Sequence, residues 1–170
     1  MIETRDLILR KAVFEDWRSM YENVWSHSVT ARFMLWDVTH SEEAAKDRIL
    51  RTVKWQSEHT AWLVQEKSSG QCIGWGGFTQ IGPGVYEDTG VALGPDYVGR
   101  GYGRQILTTL VEYVFTEMDG HTFVGSARSE NMASIALQLS CGFRYTHSEE
   151  RVDPRNNEPY TLNFYEIHQE

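Results

Sequence analysis

Hydrophobic and polar residues in the first half of the chain alternate with a strand period in some segments and a helix period in others. Leu7 and Leu9 share one face of a first strand. Ser41, followed by two glutamates, is a favourable helix start, because acidic side chains suit the first turn. The elements predicted here are strands over 4–11, 61–66 and 72–80, helices over 14–23 and 41–58, and a short helix with a loop over 29–36.

The second half predicts strands that alternate with helices. The clearest helix is 101–118, whose apolar residues recur on one face. The other elements are strands over 86–93, 122–127, 143–147 and 160–167, and a helix over 131–141. Antiparallel-type strands followed by strand–helix–strand–helix–strand predict an α+β fold with α/β layering. We expect a mixed, mostly antiparallel sheet of about six or seven strands flanked by helices, in one domain over 1–170.

Composition and charge narrow the classes of function. Hydrophobic residues make up 41% and charged residues 24%, as in soluble globular proteins. No apolar run approaches the roughly 20 residues of a membrane span, and the first residues lack a signal-type stretch, so we expect a cytoplasmic protein without a membrane partner. A net charge of -8 argues against nucleic acid and suits a cationic acceptor. Cys72 and Cys141 have no metal-ligand spacing, so we expect no metal.

A glycine-rich segment before the clearest helix is the strongest candidate site. Gly99, Gly101 and Gly103 alternate there, which lets the backbone turn sharply and approach a ligand. The free N–H groups of the helix start could bind a pyrophosphate, and Arg100 and Arg104 would add positive charge. The segment is neither a P-loop nor a dinucleotide fingerprint. The spacing leaves open which phosphate ligand binds, and whether the helix start simply needs glycine.

Together with two later segments, this loop resembles the GNAT acetyltransferase superfamily. The matching segments are Gly99–Gly103, Ser129–Ser134 and Cys141–Arg144. Glu3–Arg10 and Gly70–Gly74 resemble the branch that includes the RimJ/RimL ribosomal-protein N-terminal acetyltransferases. The resemblance covers nearly the whole chain. It implies a GNAT-like acyl-CoA N-acyltransferase fold and direct transfer of an acetyl group from acetyl-CoA to an amine in a ternary complex.

The resemblance also implies where coenzyme A binds. The loop backbone would hold the pyrophosphate, and Val98 stands where the family usually has Gln or Arg, so one side-chain contact is lost. The pantetheine would lie along strand 86–93, where Gly90 and Ala92 are small and share a face. An ordinary core strand with a bulge at Gly90 is the alternative. The implied cofactor-binding residues are Val91, Ala92, Leu93, Val98, Gly99, Arg100, Gly101, Tyr102, Gly103, Arg104, Asn131 and Ser134.

The reaction needs a base for the amine and benefits from an acid for the leaving thiolate. Asp88 and Glu87 are the candidate bases, and Asp88 matches an acidic position common in the RimJ/RimL-like branch. Either acid could instead be a solvated residue at the strand edge. Three histidines could also serve, although nothing in their spacing selects one: His27, His40 and His59.

The resemblance to the RimJ/RimL-like branch implies Ser134 as the candidate acid. Gln138 stands where many members of the superfamily have a catalytic tyrosine, and an amide cannot donate a proton in that role. Ser134 follows Asn131 by three residues, so both share a helix face. Its hydroxyl could bond the sulfur, or it could only cap the helix.

The acceptor is the least determined part. Five tryptophans could line an acceptor pocket or belong to the core: Trp25, Trp36, Trp55, Trp62 and Trp75. The family places acceptor-binding residues in the region corresponding to 24–37. A peptide N-terminal amine is the first candidate, and a small-molecule amine such as a polyamine or an antibiotic is the second. A non-catalytic acyl-CoA-binding module and a nucleotide-binding protein of another fold are the alternatives to an enzyme. We expect a monomer or a homodimer.

Overall fold

A computed structural model describes residues 1–170 as a mixed sheet with helices on both faces. Its nine strands are β1 (Ile2–Glu3), β2 (Leu7–Arg10), β3 (Thr60–Glu66), β4 (Cys72–Gly82), β5 (Val85–Asp88), β6 (Ala92–Leu93), β7 (Thr122–Arg128), β8 (Arg144–Val152) and β9 (Pro159–His168). Their order is β1-β2-β3-β4-β5-β7-β9-β8, with β6 paired to β4. Only β5 and β7 are parallel. The predicted fold class is confirmed, and the extra strands are two-residue pieces too short to show a period.

The helices are α1 (Trp17–Met20), α2 (Ser28–Ala31), α3 (Glu42–Glu58), α4 (Tyr102–Glu117) and α5 (Met132–Ser140). Ser41 Oγ accepts the Ala44 N–H at 3.1 Å, which caps α3 where the sequence predicted its start. The helix predicted over 14–23 is instead a 3₁₀ turn, α1 and a π-helical turn that ends at Trp25. None of the helices combines the length and apolar composition that a bilayer span requires.

Two hydrophobic cores lie on opposite faces of the sheet. The first packs α4 against the sheet through fully buried residues such as Ile106, Leu110 and Phe123. The second packs α1 and α3 against the other face, around Met20 and Ile49. Apolar residues of α5 also contact the first core, so α4 and α5 lie on the same face. The two faces therefore carry different elements.

The prediction of one continuous strand over 86–93 is wrong, and the interruption opens the sheet. Gly90 has φ +105, a backbone conformation that residues with a side chain rarely adopt, and it separates β5 from β6. The register of β5 with β7 covers only Val85 to Glu87, after which β6 pairs with β4 alone. From Gly125 onward β7 has no strand partner on this side. We call the resulting gap between β6 and β7 the split.

The strand β8 forms the outer edge of the sheet on the side of β9. All of its residues except Glu149 are exposed. Its register with β9 shifts between Tyr145 and His147.

Candidate functional site

The loop Val98–Arg104 leads into α4 and presents a row of free backbone donors. Gly99 and Gly101 have φ +77 and +79, and a Cβ built on either would meet nothing within 4 Å. These glycines are therefore required by backbone conformation, and the space beside them is open. None of the N–H groups of residues 98–104 has a hydrogen-bond partner. Free N–H groups at the positive end of a helix dipole favour an anion.

Gly103 has another role than the two glycines before it. A Cβ there would lie 3.2 Å from Leu137 Cδ2 and 4.0 Å from Leu93 Cδ1, so Gly103 allows α4 to pack closely against α5 and β6. This packing sets the loop beside the split. Val98, at the start of the loop, is exposed.

The charged side chains of the loop are not equivalent. Arg100 Nη1 lies 3.4 Å from Glu66 Oε1, and the Tyr102 hydroxyl donates to the same oxygen at 2.7 Å. Hydrogen bonds from Ser69 and Tyr102 hold the pKa of Glu66 below its ordinary value, so it is a carboxylate. Arg100 is thus partly neutralised by β3. Arg104 is exposed and forms no ion pair, which leaves it as the free cation of the loop.

Backbone groups also line the split itself. The Val91 N–H has no hydrogen-bond partner. Ala92 and Leu93 pair with β4 on their other side, and Ala92 is buried. An extended ligand that entered the split could therefore bond to the backbone, as an added strand does.

Asp88 lies at the end of β5, where the split begins. Its Oδ1 accepts the Gly90 N–H at 2.9 Å, and its Oδ2 accepts the Ser126 N–H at 3.1 Å. Because Ser126 belongs to β7, the carboxylate bridges the two sides of the split. Burial raises the pKa of Asp88 to about 6, although the two backbone bonds lower it.

Glu87 points to the opposite face of the sheet from its neighbours. Tyr86 packs in the first core, so the alternation of the strand puts Glu87 on the face of α1 and α3. Glu87 is half-buried, and this burial raises its pKa. Arg151 opposes the rise in pKa, whereas Glu149 adds to it. A half-buried acid with a raised pKa is suited to proton transfer.

Ser134 sits in the first turn of α5 and is held on two sides. Asn131 Oδ1 accepts the Ser134 N–H at 3.2 Å, which caps the helix. Gln138 Nε2 donates to Ser126 O at 3.1 Å and to Ser134 Oγ at 3.4 Å, while its Oε1 is buried without a partner against Gly125. Because Oγ accepts this bond, the hydroxyl hydrogen of Ser134 stays free to donate elsewhere.

Two of the candidate histidines are engaged by nearby backbone. His27 Nε2 lies 2.7 Å from Glu22 O, and His59 Nδ1 lies 2.8 Å from Trp55 O. His40 is exposed and lines a pocket beside α3. None of them forms a hydrogen bond with Glu87, Asp88 or Ser134.

The five tryptophans divide between the cores and this pocket. Trp62 belongs to the first core and Trp25 to the second. Trp36 and Trp55 line the pocket, which measures about 640 Å³ and lies between residues 36–40 and α3. Trp75 packs on the second core, with its ring centroid 5.6 Å from that of Trp36. Core positions are thus confirmed for Trp25 and Trp62, whereas an acceptor-binding role for the tryptophans of the pocket stays a prediction.

The turn between β8 and β9 contains a buried ion cluster that sequence analysis missed. Asp153 is 1% exposed and lies 2.6 Å from Arg128 Nη2 and 2.8 Å from Arg155 Nη2. Arg155 and Arg128 hold the pKa of Asp153 well below its usual range. Arg155 Nη1 also donates to the carbonyls of Ala31 and Trp36, at 3.2 and 3.1 Å. The cluster thus fixes the segment that carries Trp36.

Arg48 on α3 was also missed. Its guanidinium lies over the rings of Trp25 and Trp36, at 4.6 and 4.4 Å. Burial, followed by the charge of Arg51, lowers the pKa of Arg48 to about 10. The sequence held one signal, since no acidic residue stands three or four positions from Arg48 on its helix.

Comparisons with known proteins agree with this geometry. The family model described as acetyltransferase (GNAT) domain matches residues 6–144. The chain is similar to YnaD of Bacillus subtilis (strain 168), an uncharacterized N-acetyltransferase, with 26% identity over 99% of this chain and 97% of that protein. A putative ribosomal-protein-serine acetyltransferase from Vibrio cholerae has a similar structure, with TM-score 0.83 and 19% identity over 99% of this chain and 97% of the other. Spermidine N-acetyltransferase from Vibrio cholerae in complex with CoA and spermine also has a similar structure. Its TM-score is 0.77, with 17% identity over 98% of this chain and 97% of the other. The structure contains no group of three His, Cys, Asp or Glu residues that could hold a metal ion.

Proposed function

We propose, because the chain belongs to the GNAT acetyltransferase family, that it acetylates the N-terminal amine of a protein or peptide. The chain is an acetyl-CoA-dependent N-acetyltransferase, and the acceptor is the proposed part. The resemblance to the RimJ/RimL-like branch supports this acceptor, as does the likeness to the structure named a ribosomal-protein-serine acetyltransferase.

The proposal rests on the split, because free backbone N–H donors lie on one face of the sheet beside it and the acid Glu87 lies on the opposite face. The N–H groups of residues 98–104 would hold the pyrophosphate of coenzyme A, and Arg104 would add a positive charge. The Val91 N–H and the unbonded amide nitrogen of Asn131 would hold the pantetheine arm. When bound, acetyl-CoA supplies the thioester that the amine attacks.

Glu87 is the proposed base. It lies on the face that also carries Trp75 and the pocket beside α3, where an acceptor can approach. With its raised pKa, Glu87 remains closer in pKa to an N-terminal amine, at about 8, than to a lysine amine near 10. This match favours an N-terminal amine over a lysine-like one.

Asp88 and Ser134 complete the proposed arrangement. Asp88 bonds to backbone on both sides of the split, so we assign it to holding the split open at a fixed width. Ser134 has a free hydroxyl hydrogen, which it would donate to the departing sulfur. Gln138 positions that hydroxyl and does not itself donate a proton to the sulfur.

A small-molecule amine, such as a polyamine or an antibiotic, is the second candidate acceptor. The net charge of -8 and the likeness to spermidine N-acetyltransferase favour it. The single domain over 1–170, the cytoplasmic location, the absence of a nucleic-acid partner and the monomeric or homodimeric state stay predictions from the sequence.

Release of coenzyme A tests the proposal when acetyl-CoA is offered with three kinds of acceptor. These are a peptide with a free N-terminus, an N-terminally blocked peptide that contains lysine, and spermidine. We expect acetylation of the free peptide, with the acetyl group located on its α-amine by mass spectrometry. Preference for spermidine would establish the second candidate instead. No release with any amine would favour the non-catalytic acyl-CoA-binding module.

A further inference from the structure

The pocket beside α3 contains an unusual positive charge. We infer that it is a subsite for a negatively charged oxygen group of the acceptor, such as the carboxylate of an acidic side chain close to the amine. This inference rests on the proposed function, since it describes what the acceptor carries besides its amine. The pocket measures about 640 Å³, and its lining includes Trp36, Thr39, Arg48, Arg51 and Trp55.

Arg48 has more hydrogen-bond donors than its surroundings use. Its guanidinium lies over Trp25 and Trp36, and Nη1 donates to Thr39 Oγ1 at 3.0 Å and to the backbone carbonyl of Asp37 at 3.5 Å. A guanidinium offers five N–H donors in a fork that fits a carboxylate or phosphate. Its remaining donors have no protein partner.

Half-buried arginines elsewhere in the chain all have a carboxylate partner. Arg10 lies 2.7 Å from Asp16, and both Arg128 and Arg155 contact Asp153, at 2.6 and 2.8 Å. Arg48 alone in this class forms no ion pair. A half-buried charge without a partner is costly, so an anion supplied by a ligand is the missing partner.

The nearest charges do not neutralise Arg48. Burial and the neighbouring Arg51 lower the pKa of Arg48 to about 10, and an anion between the two guanidinium groups would oppose both effects. Asp37 also lines the pocket, but it adds to the effect of Asp153 in raising the pKa of Arg155. The pocket therefore keeps an excess of positive charge.

A wall of aromatic side chains connects this pocket to the split. The ring centroid of Trp36 lies 5.6 Å from that of Trp75, and a Cβ built on Gly90 would lie 3.8 Å from Trp75 Nε1. The Gly90 N–H in turn bonds to Asp88. Arg155 donates to the carbonyl of Trp36 and so fixes the backbone from which this ring extends. This continuity would let one acceptor place its amine at the split and its anion in the pocket.

Matched peptides test the inference through kcat/KM. Each has a free N-terminus and carries Glu, Gln or Lys at the second, third or fourth position in turn, and a phosphoserine series replaces the carboxylate with a phosphate. We expect Glu to exceed Gln at one position by about 10-fold or more, because a hydrogen bond to a charged group contributes that much. We expect the Lys peptides to be the poorest. A preference for phosphoserine alone would support the subsite and assign it to phosphate.

Arg48→Gln is the decisive variant, and Arg32→Gln is its control. Arg32 is exposed next to α2 and does not line the pocket. Arg48→Gln should reduce the ratio of the Glu to the Gln peptide to about 1, whereas Arg32→Gln should keep it. A general loss of stability lowers both peptides equally, so the ratio reports the subsite alone.

Two results would overturn the inference. One is equal kcat/KM for Glu, phosphoserine and Gln peptides in the parent enzyme, and the other is a preference that survives Arg48→Gln. Acetylation of the peptides without an anionic preference would refute this inference and leave the proposed function intact. If no peptide is acetylated, calorimetric binding of the N-acetylated Glu and Gln peptides still decides whether the subsite exists.

Discussion

Asp88 and Asp153 both bind residues of β7, Ser126 and Arg128, which stand two positions apart. The pKa values of the two aspartates are nevertheless shifted in opposite directions. Asp88 bonds to the backbone N–H of Ser126 and has no cationic partner, and burial raises its pKa to about 6. Asp153 contacts the side chain of Arg128 as well as Arg155, and its pKa lies well below the usual range. Hydrogen bonds hold the first carboxylate, whereas ion pairs hold the second.

The difference separates charges that build the molecule from charges that remain available to a ligand or a proton. The cluster around Asp153 satisfies its charges internally and ties the hairpin to the segment before α3. Glu87 and Arg48 have no such internal partner, and both lie in the region that we propose for the acceptor. Unpaired charge is thus a better guide to the site in this chain than charge itself.

Breaking the paired cluster should have the largest effect. Asp153→Ala leaves Arg128 and Arg155 without an anion and releases the segment that carries Trp36. We expect the melting temperature to fall by several degrees and the KM for the acceptor to rise. Asp47→Ala, at an exposed site on α3, is the control and should change stability by less than about 0.5 kcal/mol. An unchanged melting temperature for Asp153→Ala would mean that the cluster is not needed for stability.

The two aspartates should give opposite dependences of stability on pH. The raised pKa of Asp88 means that the folded state favours its protonated form. Its contribution to the stability of the folded state is therefore present below pH 3.8 and is lost as pH rises through about 6. That contribution is at most of the order of 3 kcal/mol. Asp153 stabilises the folded state at pH values above its ordinary pKa of 3.8. This contribution is lost as pH falls toward its lowered pKa.

Unfolding in urea between about pH 4 and pH 7 measures the contribution of Asp88. Asp88→Asn cannot titrate, so the fall in stability with rising pH should become shallower than in the parent protein. Identical slopes in the two proteins would show that Asp88 does not have a raised pKa.

Glu87→Gln should lower kcat/KM by about 100-fold, the usual order of general-base catalysis. The parent enzyme should lose activity as pH falls, with an apparent pKa above the ordinary 4.5 of glutamate, because the base must be ionised. Glu149→Gln should move this pKa down, since Glu149 raises it, and Arg151→Gln should move it up. A Glu87→Gln enzyme with the parent's pH profile would exclude Glu87 as the base.

Ser134→Ala should have the smallest effect, a fall in kcat of about 10-fold, because a thiolate leaves fairly well without help. Affinity for coenzyme A should stay the same, since a hydroxyl that acts in the transition state contributes little to ground-state binding. Ser140→Ala at the other end of α5 is the matched control. Steady-state kinetics with melting curves measure both variants, and a kcat within about twofold of the parent would remove Ser134 from the mechanism.

Local signals in the sequence predicted the fold well. Ser41 predicted the start of α3 because capping is a local interaction. The apolar face of α4 predicted the packing of this helix on the sheet. The break in strand 86–93 was missed because polar and apolar residues alternate with the period of a strand on both sides of Gly90. Gly90, with its positive φ, lies between β5 and β6, and a sequence does not show φ.

The candidate site divides in the same way. The loop 98–104 was predicted because its glycines lie close together in sequence and its donors belong to the backbone. Arg48 and the cluster at Asp153 were missed because their partners are distant along the chain, as Arg128 and Ala31 are from Arg155. Arg100 illustrates the reverse, since its charge was predicted at the loop but its partner on β3 was not.

The exposed outer strand has a consequence for how the molecule behaves in a crowded solution. A free strand edge can add strands from other chains and grow into aggregates. In β8 the register shift between Tyr145 and His147 distorts the edge, and Glu149, Glu150 and Arg151 place charges along it. A neighbouring chain that paired with this edge would have to remove water from these charges, and its own charges would face them. The edge therefore resists open-ended assembly while the sheet behind it keeps its full length.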